Sequence, residues 1–291
     1  MARRALRFRL ANVVARRRDS SQDRPVMAAL LVQSEDGTAI SSEVFGVGRP
    51  LVVVSGALFA SALWQRAASR LVEGRSLVIV DRRGRGKSTD QPVYSPEREV
   101  EDLLAVLAAL PGSVDLLGHS SGAILALQAA ARRPPQLDRL VVYEPPVFFA
   151  ASDRIPQDLP ERLAALVAAG QLEAAVETFF REGPRTPERE LSSMKAGPSW
   201  APMVQNLART VPYDAHVQRS FAGNEAELSR VETRTLVLLG ADSPERMQSG
   251  SETVAARLPN ARLCQLLGQQ HVAMLSDPLQ FAARVSEFLA S

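Results

Sequence analysis

Gly118-His119-Ser120-Ser121-Gly122 is the stretch from which the fold of this chain can be read. Residues 114–117 before it form a short apolar run, and residues 123–133 after it are rich in helix formers. A strand that enters a helix through so short a connection puts its middle residue on a sharp, strained turn. Side chains two positions before or after that residue would then collide with neighbouring backbone. Glycine stands at both places, 118 and 122. The turn holds the Ser120 hydroxyl clear of the sheet at a helix N-terminus and leaves the Ser121 N–H facing a developing oxyanion. That is how a nucleophile is presented. Five-residue matches to this pattern also arise by chance as structural turns, but a strand before and a helix after favour the catalytic reading.

Away from the elbow, 291 residues with 46% hydrophobic and 23% charged side chains are enough for one large α/β domain with a sizeable core. The net charge of +2 hides an asymmetry. Residues 1–26 hold eight arginines against Asp19 and Asp23, so this segment carries +6 and the remainder −4. The basic pI belongs to a tail expected to be disordered, and nothing in the body suggests nucleic-acid binding. Arg3 and Arg4 are not followed by an apolar signal core, because Arg16, Arg17 and Arg18 interrupt at once, and Met27 is an alternative start. One cysteine, Cys264, excludes an intramolecular disulfide framework, fits a reducing cytoplasm and reads as a buried, inert thiol. No apolar run approaches the roughly 18–20 residues of a membrane span.

Along the chain, residues 29–33 and 39–45 read as a hairpin about Glu35-Asp36-Gly37, and 51–54 and 77–80 as buried strands. A helix is expected over 61–72. Gly86-Lys87-Ser88 mimics the end of a phosphate-binding loop, but Asp81 occupies the place where that motif needs glycine. Ser95, Pro96 and Glu97 open a helix that Pro111-Gly112 stops. A buried strand at 137–143 ends at Glu144-Pro145-Pro146, and strands at 235–239 and 261–267 and a helix over 278–289 close the chain. Strands alternating with helices imply a mostly parallel, doubly wound sheet with ligands bound beyond its carboxyl ends.

Residues 147–232 break the alternation. Helical segments are expected at 159–169, 172–181 and 203–210, with no convincing strand, and the span holds seven of the fifteen aromatics. It reads as a helical lid inserted into a core made of 27–146 and 233–291, most of its aromatics attaching it to the body and a minority lining an apolar pocket.

These pieces together resemble the α/β-hydrolase fold superfamily over about residues 28–290. The resemblance rests on Ser55-Gly56-Ala57 with Trp64, on the run from Asp81 to Ser88, on the 118–122 elbow, and on His271 with Pro278 behind it. It implies a serine hydrolase cleaving a carboxylic ester, thioester or related acyl bond of a small apolar or acyl substrate, without metal or organic cofactor. His271 would be the base, and the N–H groups of Ser121 and Ala57 the oxyanion hole. The acid departs from the family pattern: Ser243 occupies the usual position, leaving Asp242 one residue early as the first candidate and Glu144, after the preceding strand, as the second. His119 and His216 are expected to be packed or solvated. Other reactions on this scaffold (acyl transfer, lyase or cyclase chemistry) and a non-catalytic ligand-binding role are the alternatives. Oligomeric state is left open.

Overall fold

The computed structural model describes residues 14–15, 28–71, 73–221 and 225–291. Most of the arginine-rich tail, and with it the expectation of disorder there, lies outside the described residues. Within it, Val14–Ala15 forms a two-residue strand, β1. Eight more strands follow: β2 (Ala28–Gln33), β3 (Ala39–Gly46), β4 (Arg49–Val54), β5 (Arg75–Val80), β6 (Val114–His119), β7 (Leu137–Tyr143), β8 (Arg234–Gly240) and β9 (Ala261–Leu266). They make one sheet in the order β1-β2-β3-β5-β4-β6-β7-β8-β9. The β1-β2, β2-β3 and β3-β5 pairs are antiparallel, and every pair from β5 to β9 is parallel.

The central strands are buried on both faces because helices cover both. Val52, Val54, Val78 and Leu116 point to one side, against α2 (Pro96–Ala109), α3 (Ser121–Ala131) and α10 (Glu245–Arg257). Leu51, Val53, Ile79 and Leu117 point to the other, against α1 (Gln65–Leu71) and α12 (Pro278–Ala290). The alternation follows from the two-residue period of a strand, and each fully buried aliphatic side chain contributes about 1.5–3 kcal/mol. The Ser95 hydroxyl caps α2 by accepting from the Arg98 N–H at 3.4 Å, as its sequence suggests. Cys264 departs from expectation: it is half-buried, because β9 is the edge of the sheet.

Between β7 and β8 the chain leaves the sheet for a helical insertion: α4 (Leu159–Ala168), α5 (Leu172–Glu182), α6 (Glu188–Ala196), α7 (Trp200–Leu207), α8 (Val211–Ser220) and α9 (Glu225–Leu228). A short helix, α11 (Ala273–Ser276), precedes α12. The sequence reading missed α6, α8, α9 and α11. For α8 a signal was present, since Pro212 and Asp214 in a first turn are helix-start features. The insertion has its own apolar core of Leu159, Leu163, Val176, Phe179, Leu191 and Trp200, and that core extends onto Leu58 of the body.

The order in which successive parallel strands are added reverses at β4, which pairs with β5 on one side and β6 on the other. Loops leaving the carboxyl ends of β4 and β6 therefore diverge and open a crevice, the usual ligand position in such sheets. Ala57 lies on one of these loops and Ser120 on the other.

Candidate active site

Ser120 has φ 54° and ψ −125°, a left-handed backbone that costs a non-glycine residue energy and that the surroundings must impose. Both flanking glycines are sterically required. A Cβ on Gly118 would lie 2.6 Å from Ala123 Cα and the Gly122 carbonyl, and one on Gly122 would lie 2.4 Å from the Val54 carbonyl. Strand, turn and helix thus pack with no room for side chains at either place, and Ser120 is turned outward. Gly56 serves the same end from the β4 loop, since a Cβ there would come within 2.7 Å of Ser120 Cβ.

Two more non-glycine residues with positive φ stand on neighbouring loops, Leu58 at 54° and Glu144 at 45°. Glu144 follows β7 directly and is fully buried. Its Oε2 lies 2.6 Å from His271 Nδ1, and its Oε1 accepts from the Gly240 N–H at 2.7 Å and the Ser243 hydroxyl at 2.5 Å. Three donors offset the cost of burying this carboxylate. They also fix the imidazole tautomer: with Nδ1–H donating to Glu144, the Nε2 lone pair faces outward.

Asp242, the first candidate from sequence, is not on His271. Its side chain is exposed, and only its N–H approaches the histidine loop, donating to the Gln269 carbonyl at 2.9 Å. The physical reason is the turn after β8. Ser243, in the usual acid position, points inward with a side chain too short to reach the imidazole, and the Glu144 carboxylate fills the gap between them.

The His271 loop is pinned at several points. A Cβ on Gly240 would meet the Gln269 carbonyl at 2.5 Å. The Tyr143 hydroxyl donates to the Gln270 carbonyl and accepts from the Ala273 N–H at 3.3 Å. His119 Nε2 donates to the His271 carbonyl at 2.9 Å, and the two rings lie 4.7 Å apart. His119 is buried, and burial followed by the nearby His271 charge pushes its pKa well below the usual histidine value. It is a neutral packing partner of the His271 loop. Among the described residues the hydrogen bonds of His271 run to Glu144 and His119, and none joins it to Ser120 Oγ. Such bonds are often long in unliganded sites and tighten with substrate.

Ser121 is the first residue of α3, so its N–H is one of the helix's unpaired donors. The Ala57 N–H donates to no acceptor among the described residues. Trp64 Nε1 donates to Ser55 Oγ at 2.9 Å, anchoring the loop that carries Ala57. The Gly86-Lys87-Ser88 loop is closed on itself: the Lys87 N–H donates to Asp81 Oδ2 at 3.0 Å, and a Cβ on Gly86 would collide with that carboxylate at 2.3 Å. His216 is half-buried, with Nδ1 2.9 Å from Arg219 Nη2. A surface concavity of about 650 Å³, lined by Arg154, Ile155, Arg181 and Arg185 among others, lies wholly on the insertion and includes none of Ser120, Glu144 and His271.

Sequence reasoning missed the groups around Ser121. Arg82 and Glu99, both buried, and Asp214 from α8 converge on its hydroxyl or on one another. Among the described residues no group of three or more His, Cys, Asp or Glu is placed to hold a metal ion, and no helix is long and apolar enough to cross a membrane.

Residues 51–284 match the model of the alpha/beta hydrolase family. The crystal structure of an alpha/beta hydrolase from Sphaerobacter thermophilus is similar with a TM-score of 0.82 and 38% identity, over 89% of this chain and 99% of that one. The N-formylmaleamate deformylase of Pseudomonas putida is 38% identical over 118 residues, which is 40% of this chain and 44% of that protein, so the match spans less than half of the relative. A pimeloyl-acyl-carrier-protein methyl ester esterase of Aeromonas hydrophila is 25% identical over 260 residues, 86% of this chain and 99% of that one. Strand order, elbow and family model agree over most of its length, and the chain belongs to the alpha/beta hydrolase family, as a hydrolase.

Proposed function

We propose that the protein is a serine hydrolase that cleaves a carboxylic ester or related acyl bond of a small molecule through an acyl-enzyme on Ser120, with His271 as base and Glu144 as the acid. The observation that carries this reading is the 2.6 Å contact between His271 Nδ1 and the buried Glu144 carboxylate, at the same carboxyl end of the parallel strands as the strained Ser120 turn. In this mechanism Ser120 Oγ attacks the acyl carbonyl as its proton passes to His271 Nε2. Glu144 stabilises the imidazolium without taking the proton. The Ser121 and Ala57 N–H groups receive the oxyanion, each donor worth a few kcal/mol in comparable sites. The tetrahedral species collapses, His271 returns the proton to the leaving group, and water repeats the sequence to release the acid.

The deformylase and esterase names of the relatives agree with acyl-bond cleavage and leave the acyl group undefined. The insertion, read as a lid, shields the acyl-enzyme from bulk water, and a cytoplasmic location fits the one free thiol. The test is labelling with a fluorophosphonate probe and mapping of the adduct. The expected result is modification at Ser120 that is lost in His271→Ala; a folded wild-type protein that stays unlabelled favours a non-catalytic ligand-binding member of the family.

A further inference from the structure

We propose that Asp214, on α8 of the insertion, is a positioning residue for the oxyanion hole and makes the geometry of its donors depend on α8 being docked. The inference rests on the reading of Ser121 and Ala57 as oxyanion donors.

Ser121 contributes more than its N–H. Its hydroxyl, fully buried, donates to Asp214 Oδ1 at 2.7 Å and accepts from Arg82 Nη1 at 3.1 Å. That same Arg82 nitrogen donates to Asp214 Oδ1 at 2.7 Å and to the Ser55 carbonyl at 3.3 Å. One guanidinium nitrogen therefore grips both loops of the hole, the elbow at Ser121 and the β4 loop two residues before Ala57, and the Asp214 carboxylate aims it. The other edge of Arg82 is held by Glu99 through two bonds of 2.7 Å. The second Asp214 oxygen accepts from Arg85 Nη2 at 2.7 Å, and Arg85 Nε donates to Thr210 Oγ1 of the insertion at 2.9 Å. The Tyr94 hydroxyl completes the array, donating to Glu99 at 2.7 Å and to the Tyr213 carbonyl at 3.1 Å while its ring stacks on Tyr213 with centroids 3.8 Å apart.

Two buried cations face two buried carboxylates, and one of the carboxylates comes from the insertion. Burial disfavours the Arg82 charge, but Glu99 and Asp214 more than restore it, so the guanidinium is held above its ordinary pKa. If α8 swung away, Arg82 and Arg85 would be left with Glu99 alone in a buried site, which is strongly unfavourable. A network that merely fastened the insertion would have no need to run through the hydroxyl of an oxyanion residue and the carbonyl beside its partner.

The experiment compares Ser121→Ala, Asp214→Asn and the double variant. Ser121→Ala keeps the N–H and every charge, and Asp214→Asn keeps the shape. The readouts are kcat and KM on p-nitrophenyl acetate, fluorophosphonate labelling, and the thermal midpoint. Removing a whole oxyanion donor costs about 10²–10³ in kcat, and loosening one should cost on the order of tenfold. Ser121→Ala is expected to lower kcat about tenfold with KM within about twofold, and Asp214→Asn by at least as much. The double variant should lose less than the sum of the two single losses, because the hydrogen bond between Ser121 and Asp214 is common to both changes. Ser121→Ala at wild-type kcat, or additive losses, overturns the positioning role. If Asp214→Asn does not fold, Ser121→Ala alone decides. Wild-type labelling at Ser120 with a fully active Ser121→Ala sinks this inference and leaves the hydrolase reading standing, whereas an unlabelled wild type removes both.

Discussion

The two ends of the sheet are built on opposite principles. At the amino ends of the parallel strands, buried Asp115 of β6 accepts from Arg49 of β4 at 2.6 Å and Arg75 of β5 at 2.5 Å, and Arg49 also bridges to Asp138 of β7. Charges there stitch four adjacent strands together. The non-glycine positive φ that accompanies this end belongs to Arg133, which follows the C-terminus of α3, where a left-handed residue is routine. At the carboxyl ends Leu58, Ser120 and Glu144 all adopt positive φ in loops that end no helix, and the buried carboxylate meets a half-exposed imidazole rather than an arginine. Strained backbone and a carboxylate that orients an imidazole collect at the end where the proposed chemistry needs side chains aimed, and stabilising pairs collect at the other.

The largest expected effect tests the reactive end. Glu144→Gln removes the acceptor that fixes the His271 tautomer and should lower kcat by roughly 10³–10⁴. Its thermal midpoint should move little, because the amide oxygen can still accept from Gly240 and Ser243. Asp242→Asn should leave kcat within about twofold of wild type. Steady-state kinetics on both variants check this, and the reverse ranking would transfer the acid to Asp242. At the amino end, Asp115→Asn should do the opposite. It removes the shared counter-charge of Arg49 and Arg75, which are partly solvated, Arg49 keeping its pair with Asp138, and should lower unfolding free energy by about 1.5–3 kcal/mol in urea titration, with kcat of the folded fraction unchanged. A parallel loss of kcat would erase the distinction between the two ends.

The smallest effect concerns pH. Because burial, then the His271 charge, depress the His119 pKa in the folded protein, the unfolded chain binds this proton first, near its ordinary value of about 6.5. The His119 contribution is therefore fully present above about pH 6.5 and is lost as pH falls below it, by up to about 1.4 kcal/mol per pH unit. Unfolding free energies from urea titrations at pH 7 and pH 5 should show a smaller acid loss in His119→Asn than in wild type. An equal loss would assign the acid sensitivity to other groups.

The chain's local grammar carried most of the architecture. Short continuous apolar runs located β4, β5 and β6 within a few residues, and the Gly118 and Gly122 spacing announced a turn whose crowding the coordinates then measured at 2.6 and 2.4 Å. These features were legible because each depends on residues close together in sequence. The identity of the carboxylate facing His271 was not. Glu144 and Asp242 each follow a strand, and the choice turned on a backbone φ of 45° at Glu144 and on Ser243 reaching back to it across 99 positions. Nor could the sequence pair Asp214 with Arg82, 132 residues away, with no helix assigned at α8. By itself the sequence determined the sheet, the elbow and the reactive serine and histidine candidates, because steric demands and periodicity act locally. Only the tertiary structure decided which acid meets the imidazole and what braces the loops that carry Ala57 and Ser121, because buried charges are satisfied by whichever partner the fold delivers, however distant along the chain.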